Sequence, residues 1–298
     1  PDFHDKSAMK NWLLAARLKT LPAAISPVIL GTALAFHDGV ISIIILLMTL
    51  LASILIQIGT NFTNDLFDFQ KGTDREDRLG PIRTIQAGLI LPNAMKKAIL
   101  LTFFLAICSG LYLANIGGWP IVLIGLVSIA AGILYTGGPY PLAYHGLGEV
   151  FVLIFFGPVA TLGTYYVQAL EFSSEVFIAG LAPGLLSTAL LAVNNLRDIP
   201  TDLKARKRTL AVRFGSRFAR IEYIICIFGA LCIPLLLVYL QKHHWFSLAA
   251  SLALLPAIPA MRVVISGDSG AVLNETLAKT GKVLMIFSVL FSAGWLIG

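Results

Sequence analysis

Residues 41–74 read ISIIILLMTLLASILIQIGTNFTNDLFDFQKGTD. A run of apolar residues long enough to cross a bilayer as a helix ends in Asn64, Asp65 and Asp68, with Lys71 and Asp74 just beyond. A second stretch repeats the arrangement: an apolar run over 176–195 ends in Asn194-Asn195-Leu196-Arg197-Asp198-Ile199-Pro200-Thr201-Asp202. Asp65 and Asp68 are three residues apart, Asp198 and Asp202 four, so on a helix each pair shares one face. Carboxylates at the end of a membrane helix are costly unless a cation sits between them. Two such clusters predict a divalent-metal site. Carboxylate ligands completed by phosphate oxygens suit Mg²⁺.

The composition agrees with a membrane protein. Of 298 residues, 57% are hydrophobic and only 13% charged, against roughly 25% charged in soluble domains. A β-barrel would alternate in polarity, whereas this chain has many unbroken apolar runs. The expected fold is all-α: a single transmembrane domain over 1–298, a bundle of nine helices with polar loops capping a central cavity. The spans fall near 21–37, 41–63, 97–115, 119–136, 149–169, 176–195, 220–240, 245–263 and 280–297. Turn chemistry marks the breaks, as at Gly137-Gly138-Pro139. Nine spans place all but one of the 22 Lys and Arg on one side, Lys242 alone lying opposite. That bias assigns the basic side to the cytoplasm. The net charge of +6 then reflects orientation and anionic headgroups, not nucleic acid. Residues 1–12 read as a polar arm, with no secretory signal before Lys19. Cys108, Cys226 and Cys232 are expected to be buried small hydrophobes.

Both acid clusters follow even-numbered spans, so they share the basic face, one in each half of the chain. Asp65, Asp68, Asp198 and Asp202 are the expected metal ligands, with Asn64 and Asn195 adding carbonyl oxygens. Asp74 reads either as a further ligand or as a solvated loop carboxylate. The many cations beside the acids call for a ligand that needs both signs. A diphosphate does: metal ions bridge it to aspartates while Lys71, Arg83, Lys204 and Lys207 take its remaining oxygens. Arg17 and Lys19 stand before the first span, placed either to snorkel to headgroups or to bind an anionic substrate group. Tyr135 and Tyr140 flank the Gly-Gly-Pro turn, as an interfacial belt or as an active-site wall whose ring faces stabilise a carbocation. None of the five histidines is assigned to catalysis.

These residues resemble the UbiA superfamily of intramembrane aromatic prenyltransferases. The likeness spans essentially the whole chain: Asn64-Asp65-x-x-Asp68 on the second span and Asp198-x-x-x-Asp202 on the sixth. Further segments are similar to the branch that prenylates 1,4-dihydroxy-2-naphthoate in menaquinone synthesis. They are Arg17-Leu-Lys-Thr-Leu-Pro, Lys71-Gly-Thr-Asp, Gly80-Pro-Ile-Arg, Tyr135-Thr-Gly-Gly-Pro-Tyr-Pro-Leu and Lys207-Arg-Thr-Leu-Ala-Val-Arg-Phe-Gly. Gly72 stands where much of the superfamily has a third carboxylate, and the next acid is Asp74, a spacing similar to the naphthoate branch and unlike the 4-hydroxybenzoate branch. The resemblance implies a Mg²⁺-dependent enzyme of the bacterial inner membrane, its active site facing the cytoplasm. Its substrates would be a polyprenyl diphosphate and the naphthoate, its surroundings membrane lipid, and its catalytic residues Asp65, Asp68, Asp198, Asp202, Lys71 and Tyr135. Phytyl, homogentisate, 4-hydroxybenzoate and haem transfer are the alternatives within the superfamily. A cation-coupled transporter is the rival outside it, and would carry its acids near the bilayer midplane.

Overall fold

A computed structural model describes residues 2–72 and 79–298. The described residues form the helices α1 (Asp2–Ala16), α2 (Leu21–His37), α3 (Ile43–Gln70), α4 (Pro92–Gly117), α5 (Trp119–Leu134), α6 (Gly148–Ile154), α7 (Ala160–Ala169), α8 (Ser174–Lys204), α9 (Leu210–Gln241), α10 (Leu254–Ser266) and α11 (Leu273–Ile297). Among the described residues, eight helical segments are long and apolar enough to cross a membrane. The ninth expected span, α5, is an apolar helix of 16 residues. The segment expected as a polar arm is instead helical, and Trp12 of α1 meets Phe62 edge-on at 5.6 Å between ring centres.

Hydroxyl side chains start several of these helices. Ser42, Ser173 and Thr209 each accept a backbone N–H three residues on, satisfying an N-terminal donor of α3, α8 and α9. The two acid-bearing helices outrun their expected spans, α3 by seven residues to Gln70 and α8 by nine to Lys204. Hydropathy marks where the bilayer ends, but backbone hydrogen bonding need not stop there. At about 1.5 Å per residue, the 31 residues of α8 exceed a hydrocarbon core of about 30 Å. The acid motifs therefore ride on helix, as their spacing suggested, beyond the expected ends of the spans.

α8 is the most enclosed span. It packs on α9, on α11, and on the α6–α7 unit, where α6 and α7 meet through a π-turn at Phe155–Val159. Small residues allow this closeness. A side chain on Gly157 would sit 2.9 Å from the Gly184 Cα, and one on Gly31 would strike the Thr161 carbonyl as α2 crosses α7. Leu100, Leu101, Phe104 and Leu111 of α4 and Leu123 and Leu126 of α5 are exposed, as suits helices whose outer surface meets lipid. Cys108 and Cys232 also lie exposed, and only Cys226 packs inside as expected. The segment 79–90 folds back under the basic end. Its Ile85 and Ile90 insert into an apolar cluster with Ala15, Leu66 and Met95, which fixes the position of Arg83 between them and the acids.

Candidate active site

Asp65 and Asp68 lie on the last turns of α3. Arg83 meets them from segment 79–90: its Nη2 donates to Asp68 Oδ2 at 2.7 Å, and its Nη1 stands 3.9 Å from Asp65 Oδ1. Thr84 donates to Asp65 Oδ2 through its backbone N–H (3.2 Å) and its hydroxyl (2.6 Å). The Tyr144 hydroxyl donates to Asp68 Oδ1 at 3.0 Å, and the Thr136 hydroxyl to Asn64 Oδ1 at 2.8 Å. Both partners come from the connection after α5. There Gly138 takes φ 74°, and a side chain on Gly137 would sit 2.5 Å from the Phe67 ring, so glycines let the turn press on α3. Lys71 caps α3, donates to the Thr136 carbonyl and lies 4.5 Å over the Tyr144 ring. Burial lowers its pKa from the ordinary lysine range, with Asp68 pulling it back up.

On α8, Arg197 grips Asp198 with a fork, Nε to Oδ1 and Nη2 to Oδ2, both at 2.7 Å. The same guanidinium donates to Asn194 Oδ1 and to Asn274 Oδ1 of α11, each at 2.8 Å. Asn274 in turn donates to the Leu79 carbonyl at 3.0 Å, so α11 ties the second motif to the segment that carries Arg83. Asn195 Nδ2 donates to Glu149 Oε1 at 2.8 Å. With its nitrogen on Glu149, the Asn195 amide turns its carbonyl oxygen away from that residue. Asp202 pairs with Lys207 Nζ at 3.5 Å.

One cavity of about 400 Å³ joins the two motifs. Arg17, Asn64, Asp68, Arg83, Tyr135, Asn195, Asp198, Asp202 and Lys207 line it beside the helix ends. Deeper along the spans its wall turns apolar, with Leu113, Ile121, Ile129, Phe155, Phe156 and Val159. The π-turn at 155–159, broken by Gly157 at φ −117°, ψ −113°, sets those last three into the wall, a use to which π-bulges are often put.

Other expected site residues lie elsewhere. Asp65 sits behind Asp68 and does not line the cavity, and Lys71 stands outside it. Lys19, Tyr140 and Lys204 are exposed and away from the cavity, Tyr140 stacking on His145 at 3.6 Å. Asp74 falls outside the described residues. Among the described residues, no three acids, histidines or cysteines converge on one point. Arg83 pairs with Asp68, Arg197 with Asp198 and Lys207 with Asp202.

The donor set still fits a hard divalent cation. The cavity offers carboxylate and amide oxygens, with no cysteine or histidine among its described lining residues. Sequence reasoning counted Arg197 only among the cations beside the acids, and did not single out Tyr144, Thr84, Thr136, Glu149 or Asn274. Glu149 alone left a signal, an acid heading an apolar span. The hydroxyls and amides look like ordinary interfacial residues until the fold brings them to the acids. Both motifs sit at helix ends beside basic residues, unlike the midplane site a coupled transporter would use.

Comparison with known proteins gives consistent results. Residues 24–275 match the UbiA prenyltransferase family. The 1,4-dihydroxy-2-naphthoate octaprenyltransferase of Haemophilus influenzae is 35% identical over 298 residues, covering 97% of each chain. Its namesake from Mycobacterium tuberculosis is 38% identical over 288 residues, covering 95% of this chain and 96% of the other. Among solved structures, a UbiA homologue from Archaeoglobus fulgidus bound to GPP and Mg²⁺ superposes with a TM-score of 0.68 at 16% identity, over 96% of this chain and 99% of that one.

Proposed function

Because the chain belongs to the UbiA prenyltransferase family, we propose that it transfers a polyprenyl chain from its diphosphate to 1,4-dihydroxy-2-naphthoate. Diphosphate and CO₂ are released and the reduced form of demethylmenaquinone, demethylmenaquinol, is formed, in a bacterial cytoplasmic membrane with the polar end of the cavity facing the cytoplasm. One observation carries this reading. Acids and bases from two distant motifs border a single cavity whose wall is otherwise mainly apolar, matching a substrate with a charged head and a greasy tail.

Arg83, Lys207 and Arg17 border the space for the diphosphate head, where they balance the negative charge that grows on it as the allylic C–O bond breaks. Asp68, Asp198 and Asp202, with Asn64 and Asn195, would hold Mg²⁺, which neutralises the diphosphate as a leaving group. Asp65 fixes Thr84, and through it segment 79–90, beside them. Tyr135, Phe155 and Phe156 present aromatic faces to the allylic cation. The apolar wall excludes water, which would otherwise convert that cation to the prenyl alcohol. The ring carbon bearing the carboxylate attacks the cation. The C–C bond to the carboxylate then breaks, its electron pair restores the aromatic ring, and CO₂ leaves. No strong protein base is needed for that step.

Mass spectrometry of products from the purified protein tests the reading. The protein is offered the naphthoate, homogentisate and 4-hydroxybenzoate, each with several prenyl diphosphates. Demethylmenaquinol, or the demethylmenaquinone it becomes on exposure to air, is expected from the naphthoate, absent after EDTA and restored by Mg²⁺. A product made only from another acceptor, or full turnover after exhaustive chelation, would overturn it.

A further inference from the structure

A second concavity opens on the basic end, outside the cavity. Lys71, Arg206, Arg208 and Arg213 line it with Tyr144 and His145, and among the described residues no carboxylate does. Two of these cations build its wall. Arg213 donates to the His145 and Arg208 carbonyls, and Lys71 to that of Thr136. Arg206 and Arg208 are exposed, and no hydrogen bond or ion pair from the described residues engages either guanidinium.

The backbone sets these charges apart from the catalytic ones. α8 ends with Lys207 N–H bonded to the Asp202 carbonyl and Arg206 N–H to that of Leu203, a Schellman-type stop that places Arg206 in the left-handed region at φ 55°. Glycine is the unstrained choice there. The turn sends consecutive side chains to opposite sides of one wall, Lys207 into the cavity and Arg206 and Arg208 into the outer pocket. That wall is Tyr144. Its hydroxyl bonds Asp68 on the cavity side, and its ring lies 4.5 Å from Lys71 Nζ and 5.9 Å from Lys207 Nζ.

We propose that this pocket docks the carboxylate of the water-borne aromatic acceptor before it passes the Tyr144 partition into the cavity. The inference rests on the prenyl-transfer reading, and goes beyond it by assigning an entry site. The prenyl donor is held in lipid by its tail, so the acceptor is the reactant that arrives from water as a small anion. Guanidinium forks match a carboxylate in two contacts. The flat faces of Tyr144 and His145, the latter stacked on Tyr140, suit an aromatic ring beside it.

The test is an R206G/R208Q double variant. Arg206→Gly relaxes the strained backbone, so the change is not expected to unfold the protein, and circular dichroism checks that. Fluorescence titration of purified protein with 1-hydroxy-2-naphthoate, and with uncharged 1-naphthol as its control, reads the pocket directly. Naphthoate affinity should fall about fivefold, the scale of two exposed charge contacts, with 1-naphthol unchanged. In turnover the acceptor KM should rise by the same factor, with kcat and the prenyl diphosphate KM unaltered. Unchanged naphthoate affinity overturns the proposal. So does a loss confined to inhibition by pyrophosphate, which would make this the exit of the leaving group. A loss confined to the response to phosphatidylglycerol, which would make it a headgroup site, also overturns it. If the wild type makes no product from the naphthoate, the prenyl-transfer reading fails while the titration still decides whether the pocket binds an aromatic carboxylate.

Discussion

The α3 and α8 motifs carry the same residues, asparagine followed by two aspartates on one helix face, yet draw their counter-ions from different distances. Asp198 is gripped by its immediate neighbour Arg197, whereas Asp68 is met by Arg83, fifteen residues on. Arg197 is 2% exposed and does not line the cavity; Arg83 does. One cation therefore serves as a fixed internal strut, braced by Asn194 and Asn274. The other stands at the substrate's side, on a segment held by two isoleucines. The motifs are similar as ligands and different as structures: the second is locally encoded, while the first is completed only when segment 79–90 docks.

The two motifs should nonetheless be equally indispensable to turnover. Asp68→Asn and Asp198→Asn each remove a carboxylate bordering the cavity, and each should lower kcat by at least about a thousandfold, the scale of losing preorganised charge at a reacting centre. Circular dichroism should show the helices intact. If either variant turned over at the wild-type rate, its motif would lose its place in the site.

Much of this contrast was legible in the sequence, but unevenly. The spacing of Asp65, Asp68, Asp198 and Asp202 follows from helix geometry alone, and so did their common basic face. The identity of each partner did not. Arg83 stood out as a cation near acids, but its fork onto Asp68 depends on Ile85 and Ile90 finding Leu66 and Met95, contacts no local pattern records. Lys19, Tyr140 and Lys204 lay at suitable sequence positions yet face outward. For Lys19, the left-handed Arg17 two residues earlier, at φ 51°, redirects the chain. Helix ends misled for a related reason, since hydropathy registers the bilayer and not the hydrogen-bond ladder.

A paired substitution sharpens the difference between strut and substrate-side cation. Arg197→Lys cannot keep the fork, Asn194 and Asn274 together, so buried acceptors away from the cavity lose a donor. Each such buried acceptor left unmet costs about 1–3 kcal/mol, so a clear fall in Tm in detergent is expected. Arg83→Lys opens onto the cavity, where water can replace the lost contacts. Its Tm should fall less, while kcat/KM for the prenyl diphosphate falls at least about tenfold. Equal loss of Tm in both variants would erase the distinction drawn between them.

The smallest expected contrast concerns the two asparagines, which are held by opposite ends of the amide. Asn64 accepts from the Thr136 hydroxyl through Oδ1; Asn195 donates to Glu149 through Nδ2. Replacing each amide with a carboxyl group separates the cases. In Asn64→Asp an oxygen still accepts from Thr136, so the change is accommodated and Tm should move little. In Asn195→Asp an oxygen replaces the donor and faces Glu149 at hydrogen-bond distance in a buried site. Either two carboxylates repel there or one must take up a proton, and a loss of about 1–3 kcal/mol is expected. Glu149→Gln in the Asn195→Asp background restores a donor across the pair and should recover most of that loss. A double variant no more stable than Asn195→Asp alone would show that Glu149 does not set the orientation of Asn195, and that the carbonyl of α8 is aimed at the cavity by something else.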